Sequence, residues 1–188
     1  MTDSLEERLQ QRLHAIDRIV EELKAYYPRT VLLFGSMARY LAGDCGDHFP
    51  NDIDLLVVTD NLPIAIARKY PQDFFQFIFF KEYQIVEIAH SLRYDLKAMA
   101  LTKLYAKNLA KQHARDVIAA CLLLGPSYRE FGIEQIDVNG LLDPRDYSVH
   151  QVLWGNEWWS RLRAYACERR GPIKRFSDRI VSADQFCG

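Results

Sequence analysis

Two carboxylates set two residues apart, Asp52 and Asp54, stand at the head of an apolar run, Leu55-Leu56-Val57-Val58. In an extended chain, residues i and i+2 point to one side. Both acids therefore project together while Ile53 and Leu55 face a core. Two like charges side by side repel, and each resists desolvation. A counter-charge relieves both costs, and oxygen ligands on one strand suit a hard divalent ion, Mg2+ or Mn2+. Two such ions can stabilise the attacking and the leaving oxygen of a phosphoryl displacement. A solvated turn is the plainer alternative, because Asn51-Asp52 is good turn chemistry by itself.

A second feature lies upstream. Val31-Leu32-Leu33-Phe34 is a short apolar run that stops at Gly35, and Ser36 opens a helical stretch to Leu41. Glycine lets backbone approach a ligand closely. The first amides of a helix lack intrahelical partners and can bind phosphate. The competing explanation is an ordinary strand-to-helix turn with Ser36 as its cap.

The rest of the chain frames these two features. Leu9, Leu13, Ile16, Ile19, Val20 and Leu23 recur at helical spacing, predicting an amphipathic helix over Leu5–Tyr26 that ends near Tyr27-Pro28. Gly43 to Asn51 reads as a loop, Ile53 to Val58 as a strand, and residues 62–70 as a short helix stopped by Pro71. Phe74 to Phe80 is too uniformly apolar for periodicity to separate helix from strand. Tyr83 to Ala89 is expected to be a third strand. Leu92 to Leu124 reads as helical, ended by Gly125-Pro126, and a turn-rich connector runs from Ser127 to Leu142. A last helical region is expected from Asp143-Pro144 to Gly171-Pro172, with a weakly patterned tail from Ile173 to Gly188.

In that order, Leu33-Phe34-Gly35-Ser36-Met37-Ala38-Arg39 followed by Asn51-Asp52-Ile53-Asp54-Leu55 resembles the DNA polymerase β-like nucleotidyltransferase superfamily. The nearest resemblance is to its minimal bacterial and archaeal type. Gly35, Ser36, Ala38, Arg39, Asp52, Ile53, Asp54 and Leu55 match the family pattern. Residues 37–51 make a longer spacer than the family's, and Tyr40 stands where the family often has glycine. The resemblance implies an α/β (α+β) class fold, a small mixed sheet with flanking helices. It covers a core of residues 1–90, followed by a mostly helical region, 91–188, expected to pack on it.

The resemblance also implies roles. Gly35, Ser36 and Arg39 would bind the nucleotide, although Arg39 could equally pair with an acidic neighbour on its helix. Asp52 and Asp54 would hold Mg2+ (or Mn2+) and act as catalytic residues with a third carboxylate on a later strand. Glu87 is the first candidate for that third ligand, Glu82 the second and Asp95 the third. The implied activity moves a nucleoside monophosphate from an NTP, ATP first among them, to a hydroxyl of a protein, a small molecule or an RNA. Minimal members often serve as antitoxins that adenylylate a helical toxin partner. A fold that keeps nucleotide binding or partner binding without much catalysis is the alternative.

Composition narrows the remaining classes. Charged residues are 26% of the chain and the net charge is −1, so no global attraction to nucleic acid or an anionic membrane exists. No apolar stretch is long enough to span a bilayer and the start lacks a secretory pattern, so a cytoplasmic protein is expected. The four cysteines, Cys45, Cys121, Cys167 and Cys187, are scattered and suggest neither zinc nor a disulfide framework. Trp154, Trp158 and Trp159 lie among Arg161, Arg163, Arg169, Arg170, Lys174, Arg175 and Arg179. Such a mixture can bind nucleic acid. The spacing of Trp154 and Trp158 instead suggests one helix face packed in a core. His113 and His150 fall in helical patterns and read as structural.

Overall fold

Helix α1 (Leu5–Lys24) begins on a capping box: the Ser4 hydroxyl accepts from the Glu7 N–H at 3.2 Å, and the Glu7 carboxylate accepts from the Ser4 N–H at 2.7 Å. The computed structural model describes residues 4–44, 48–70, 74–91, 111–124, 149–169, 173–174 and 180–181. The helix ends as expected before Pro28, where Tyr27 turns the chain at φ 52°. Ala15, Ile16, Ile19, Val20 and Leu23 form its buried stripe.

Four strands make one mixed sheet in the order β3-β2-β1-β4. They are β1 (Thr30–Phe34), β2 (Ile53–Val58), β3 (Phe75–Phe80) and β4 (Gln151–Trp154). Strand β1 runs antiparallel to β2 and β4, and β2 runs parallel to β3. Short helix α2 (Gly35–Leu41) follows β1, and α3 (Ile64–Lys69) lies in the crossover that a parallel pair requires. Glu22 of α1 anchors that crossover, accepting from Lys69 Nζ at 2.8 Å and from the Tyr70 hydroxyl at 2.7 Å. Alternation sends Val31, Leu33, Ile53, Leu55 and Val57 into the cluster formed with the α1 stripe. Leu32, Leu56 and Val58, on the opposite face, are also fully buried. Burial on both faces explains why these strands read as continuous apolar runs.

The ambiguous Phe74–Phe80 run forms strand β3 from Phe75 onward. Phe75, Phe77 and Phe79 stack along one face with centroids 5.9 and 5.4 Å apart. The expected third strand over Tyr83–Ala89 is instead helix α4 (Glu82–Ser91). Its start is fixed by Asp60, whose carboxylate accepts from the Glu82 N–H at 3.2 Å. Ile85 and Ala89, four apart, are the fully buried positions, whereas Val86 and Glu87 are exposed. That is helical spacing, and it places Glu87 in solvent without the cost of a lone carboxylate in an apolar strand.

The expected helix from Asp143 to Gly171 is corrected in its described part. Strand β4 occupies Gln151–Trp154, and helix α6 (Asn156–Arg169) begins only after Gly155. Gly155 has φ +73°, and a Cβ there would overlap the Arg29 carbonyl. Trp154 therefore shares no helix face with Trp158. It lies half-exposed on the strand, with the Lys24 ammonium 4.6 Å from its ring centroid. Its carbonyl accepts from the buried Thr30 hydroxyl at 2.8 Å.

The chain divides into two compact units. The first holds residues 1–82 and 151–156, and the second holds 83–150 and 157–188. In the second unit, α5 (Lys111–Leu124) has buried residues from Ala119 to Leu124. This is the described part of the helical stretch expected over Leu92–Leu124. Helix α6 buries Trp159, Leu162 and Ala166. Strands β5 (Ile173–Lys174) and β6 (Ile180–Val181) form an antiparallel ribbon within the weakly patterned tail. Cys121 of α5 is buried. Among the described residues, no helix is long and apolar enough to cross a membrane.

His150 precedes β4 outside any helix, and its Nε2 accepts from Trp159 Nε1 at 3.0 Å. Burial, then the nearby Arg163 charge, pushes its pKa down to about 4. The folded chain thus keeps His150 neutral while an unfolded chain protonates it near 6.5. Unfolding takes up a proton between those values, so stability should fall as pH drops from about 6.5 to 4 and level off below. The expected loss is about 3 kcal/mol. Urea unfolding of wild type and His150→Gln across that window checks it, and the variant should lack this component of the slope.

Candidate active site

The site is built where β1 ends and β2 begins. Register pairs Phe34 with Asp54, so the turn after β1 lies against the first turn of β2. Gly35 follows Phe34 with φ +72°. A Cβ built on Gly35 would overlap the Asp54 carboxylate and lie 2.9 Å from its Cγ. The two sequence features, separated by the loop, therefore meet directly. Only glycine allows that approach, for two reasons: its backbone conformation and the lack of room.

Ser36 is not the cap of α2. Helix α2 starts at Gly35, its cap position is Phe34, and no side chain caps it. Ser36 is the second helical residue and is half-buried. Met37 and Ala38 behind it are buried in the core. This orders the turn from the inside.

Asp52 precedes β2 and is half-buried, like Asp54. Three contacts fix its place. The Gln76 amide donates to Asp52 Oδ2 at 2.7 Å. Arg12 of α1 donates through Nη2 to the Asn51 carbonyl at 2.8 Å. The Ile53 N–H donates to the Phe74 carbonyl at 2.9 Å. Register also pairs Gln76 with Asp54, so Gln76 lies beside both acids.

Arg12 joins α1 to this turn. Its guanidinium lies over the Phe74 ring, 3.7 Å from the centroid, and that of Arg8 lies 4.5 Å from the Phe49 centroid. Burial, then the Arg8 charge, lowers the Arg12 pKa, while Asp52 opposes that shift. Among the described residues, Arg12 Nη1 is buried without a hydrogen-bond partner. An unpaired buried donor costs about 1–3 kcal/mol.

Arg39 meets Asp44, with Nε 3.8 Å from Oδ2 and Nη2 donating to the Asp44 carbonyl at 3.1 Å. This is the acidic pairing expected as one of its two roles, although Asp44 lies just beyond α2 rather than on it. Glu82 pairs with Arg29 at 2.7 Å. Glu87 belongs to the second unit, on α4, and its candidacy rested on a strand that is not there. Asp95 lies outside the described residues. Of the tryptophan and arginine cluster, Trp159 is core, and Arg161 is exposed beside Glu157 at 3.6 Å.

Asp52 and Asp54 supply carboxylate oxygens, the ligands a magnesium ion takes. Among the described residues, no group of three or more His, Cys, Asp or Glu side chains is arranged to hold a metal. The donor set at this turn is two carboxylates and the neighbouring amide Gln76. Sequence reading missed both Gln76 and Arg12. Each carried a signal: Gln76 is the one polar residue within Phe74–Phe80, and Arg12 is a cation close to the apolar stripe of α1.

Comparison of the chain with protein-family models, with curated proteins and with solved structures gives no match.

Proposed function

We propose that the chain is a metal-dependent nucleotidyltransferase with a DNA polymerase β-like nucleotidyltransferase core. The observation that carries this reading is the approach of the Gly35 turn to the Asp54 carboxylate, with Asp52 beside it. A turn that offers backbone amides and a serine hydroxyl next to two carboxylates suits one ligand class well: a triphosphate that arrives with a divalent cation. Ser36 and the amides after Gly35 receive the terminal phosphates. Asp52 and Asp54 would hold the cation, which would neutralise charge on the phosphates. An acceptor hydroxyl attacks the α-phosphate in line, its proton passes to a nearby base or to water, and pyrophosphate leaves. Positioning and charge neutralisation supply the acceleration. The acceptor is a hydroxyl of a protein, a small molecule or an RNA, and an antitoxin that adenylylates a helical partner is one such case.

Pyrophosphate release from each nucleoside triphosphate, with Mg2+ and candidate acceptors, tests this reading. Release should require the metal. Asp52→Ala or Asp54→Ala should lower it by roughly 100- to 1,000-fold, and the double variant should be silent. Release that the double variant retains would refute the assignment.

A second reading is a nucleotide-binding or partner-binding module with little catalysis. Gln76 favours it, since a neutral amide rather than an acid lies beside Asp54. Nucleotide binding without pyrophosphate release from any triphosphate would select it.

A further inference from the structure

We infer that Gln76 and Arg12 are positioning residues that hold the Asp52 carboxylate beside Asp54; this rests on the nucleotidyltransferase reading of the site. Asp52 is outside the regular strand, so the sheet ladder does not fix it. It is gripped from two sides instead. From β3, the Gln76 amide takes Oδ2 at 2.7 Å. From α1, Arg12 ties down the preceding carbonyl, Asn51 O, at 2.8 Å. The grip from α1 is itself braced, because the Arg12 guanidinium lies over the Phe74 ring, 3.7 Å from its centroid, and Phe74 O accepts from Ile53 N. Strand β3 and the residue before it therefore support the turn together, through Gln76 and Phe74.

Two features argue that these residues do more than pack. Among the described residues, Arg12 leaves a buried donor unpaired at Nη1, a local cost that an apolar side chain placed on Phe74 would avoid. Gln76 is exposed on an edge strand, so its side chain adds little to the core. Its hydrogen bond is spent on orienting an acid. A neutral donor also suits the position. It steadies Asp52 without adding a third negative charge to a repelling pair, and a ligand carboxylate held by its neighbours keeps its geometry.

The test combines a structural and a kinetic readout on three variants. Gln76→Ala removes the donor, Gln76→Glu replaces it with a like charge, and Arg12→Met keeps a long apolar chain over Phe74 without the donor. Crystal structures of the metal-free variants should show Asp52 leaving its wild-type rotamer or splitting between two. Kinetically, pyrophosphate release should fall about 10- to 100-fold in kcat. The nucleotide KM should stay within about threefold, and half-maximal activity should need more Mn2+. Gln76→Glu should be worse than Gln76→Ala, the reverse of what a space-filling role gives. An unchanged Asp52 conformation in Gln76→Ala and Arg12→Met overturns the inference even where the wild type is active. A wild type that releases no pyrophosphate fails the functional reading instead, and the rotamer comparison still decides the positioning role.

Discussion

Gly35→Ala should destabilise the first unit by about 3 kcal/mol or more and abolish nucleotide-dependent activity. The left-handed backbone at φ +72° costs an L-residue about 1–2 kcal/mol by itself. The new methyl then overlaps the Asp54 carboxylate, and β1 and β2 are hydrogen-bonded neighbours that cannot part cheaply. Urea unfolding measures the loss. A double-mutant cycle separates its two parts, because Asp54→Ala removes the overlapping oxygens. The double variant should recover part of the stability, the part due to overlap, and no activity. Additive losses would mean that Gly35 and Asp54 do not meet as described.

That contact was half legible in the sequence. Strands β1 and β2 are buried on both faces, so each stands out as an apolar run, bounded by Gly35 in one case and by Asp52 in the other. What the residues could not give is the register, which places Phe34 opposite Asp54 and brings glycine against the carboxylate. Register depends on pairing, and pairing is not local. Strand β4 shows the same limit more severely. It has four residues, and its Trp154 carbonyl meets Thr30 across a separation of 124 positions. With no long apolar run to mark it, the segment reads as part of the helical region expected from Asp143.

The exchange of strand for helix at α4 has a different cause. Ile85, Val86 and Ile88 carry β-branched side chains that favour strands, and alternation fits Ile85, Glu87 and Ala89. Burial follows the four-residue spacing of Ile85 and Ala89 instead. The neighbour that pairs with β2 is already supplied by Phe75–Phe80, so the sheet does not need this segment there. The same exchange removes the strand on which Glu87 was expected to stand, and the register places Gln76 beside Asp54.

In the second unit, Trp159→Ala should be the most damaging single change, at about 3–5 kcal/mol. Trp159 is 1% exposed, and its ring nitrogen donates to His150. Truncation leaves a large cavity and a buried imidazole nitrogen without its donor. Trp159→Phe separates these terms. It keeps most of the volume and loses the bond, and about 1–3 kcal/mol should remain. Denaturant unfolding followed by circular dichroism measures both variants. Equal, small effects would show that the ring is not in the core.

The most direct measurement on the proposed nucleotide site is a calorimetric titration of ATP, and then of the other nucleoside triphosphates, in the presence and absence of Mg2+. Wild type and the Asp52→Asn/Asp54→Asn variant, matched for thermal stability, are compared. The expected result is saturable binding of at least one triphosphate that weakens strongly without the metal and in the variant. No binding of any triphosphate, or binding indifferent to both the metal and the two carboxylates, would contradict the assignment of the Gly35 turn and the Asp52–Asp54 pair.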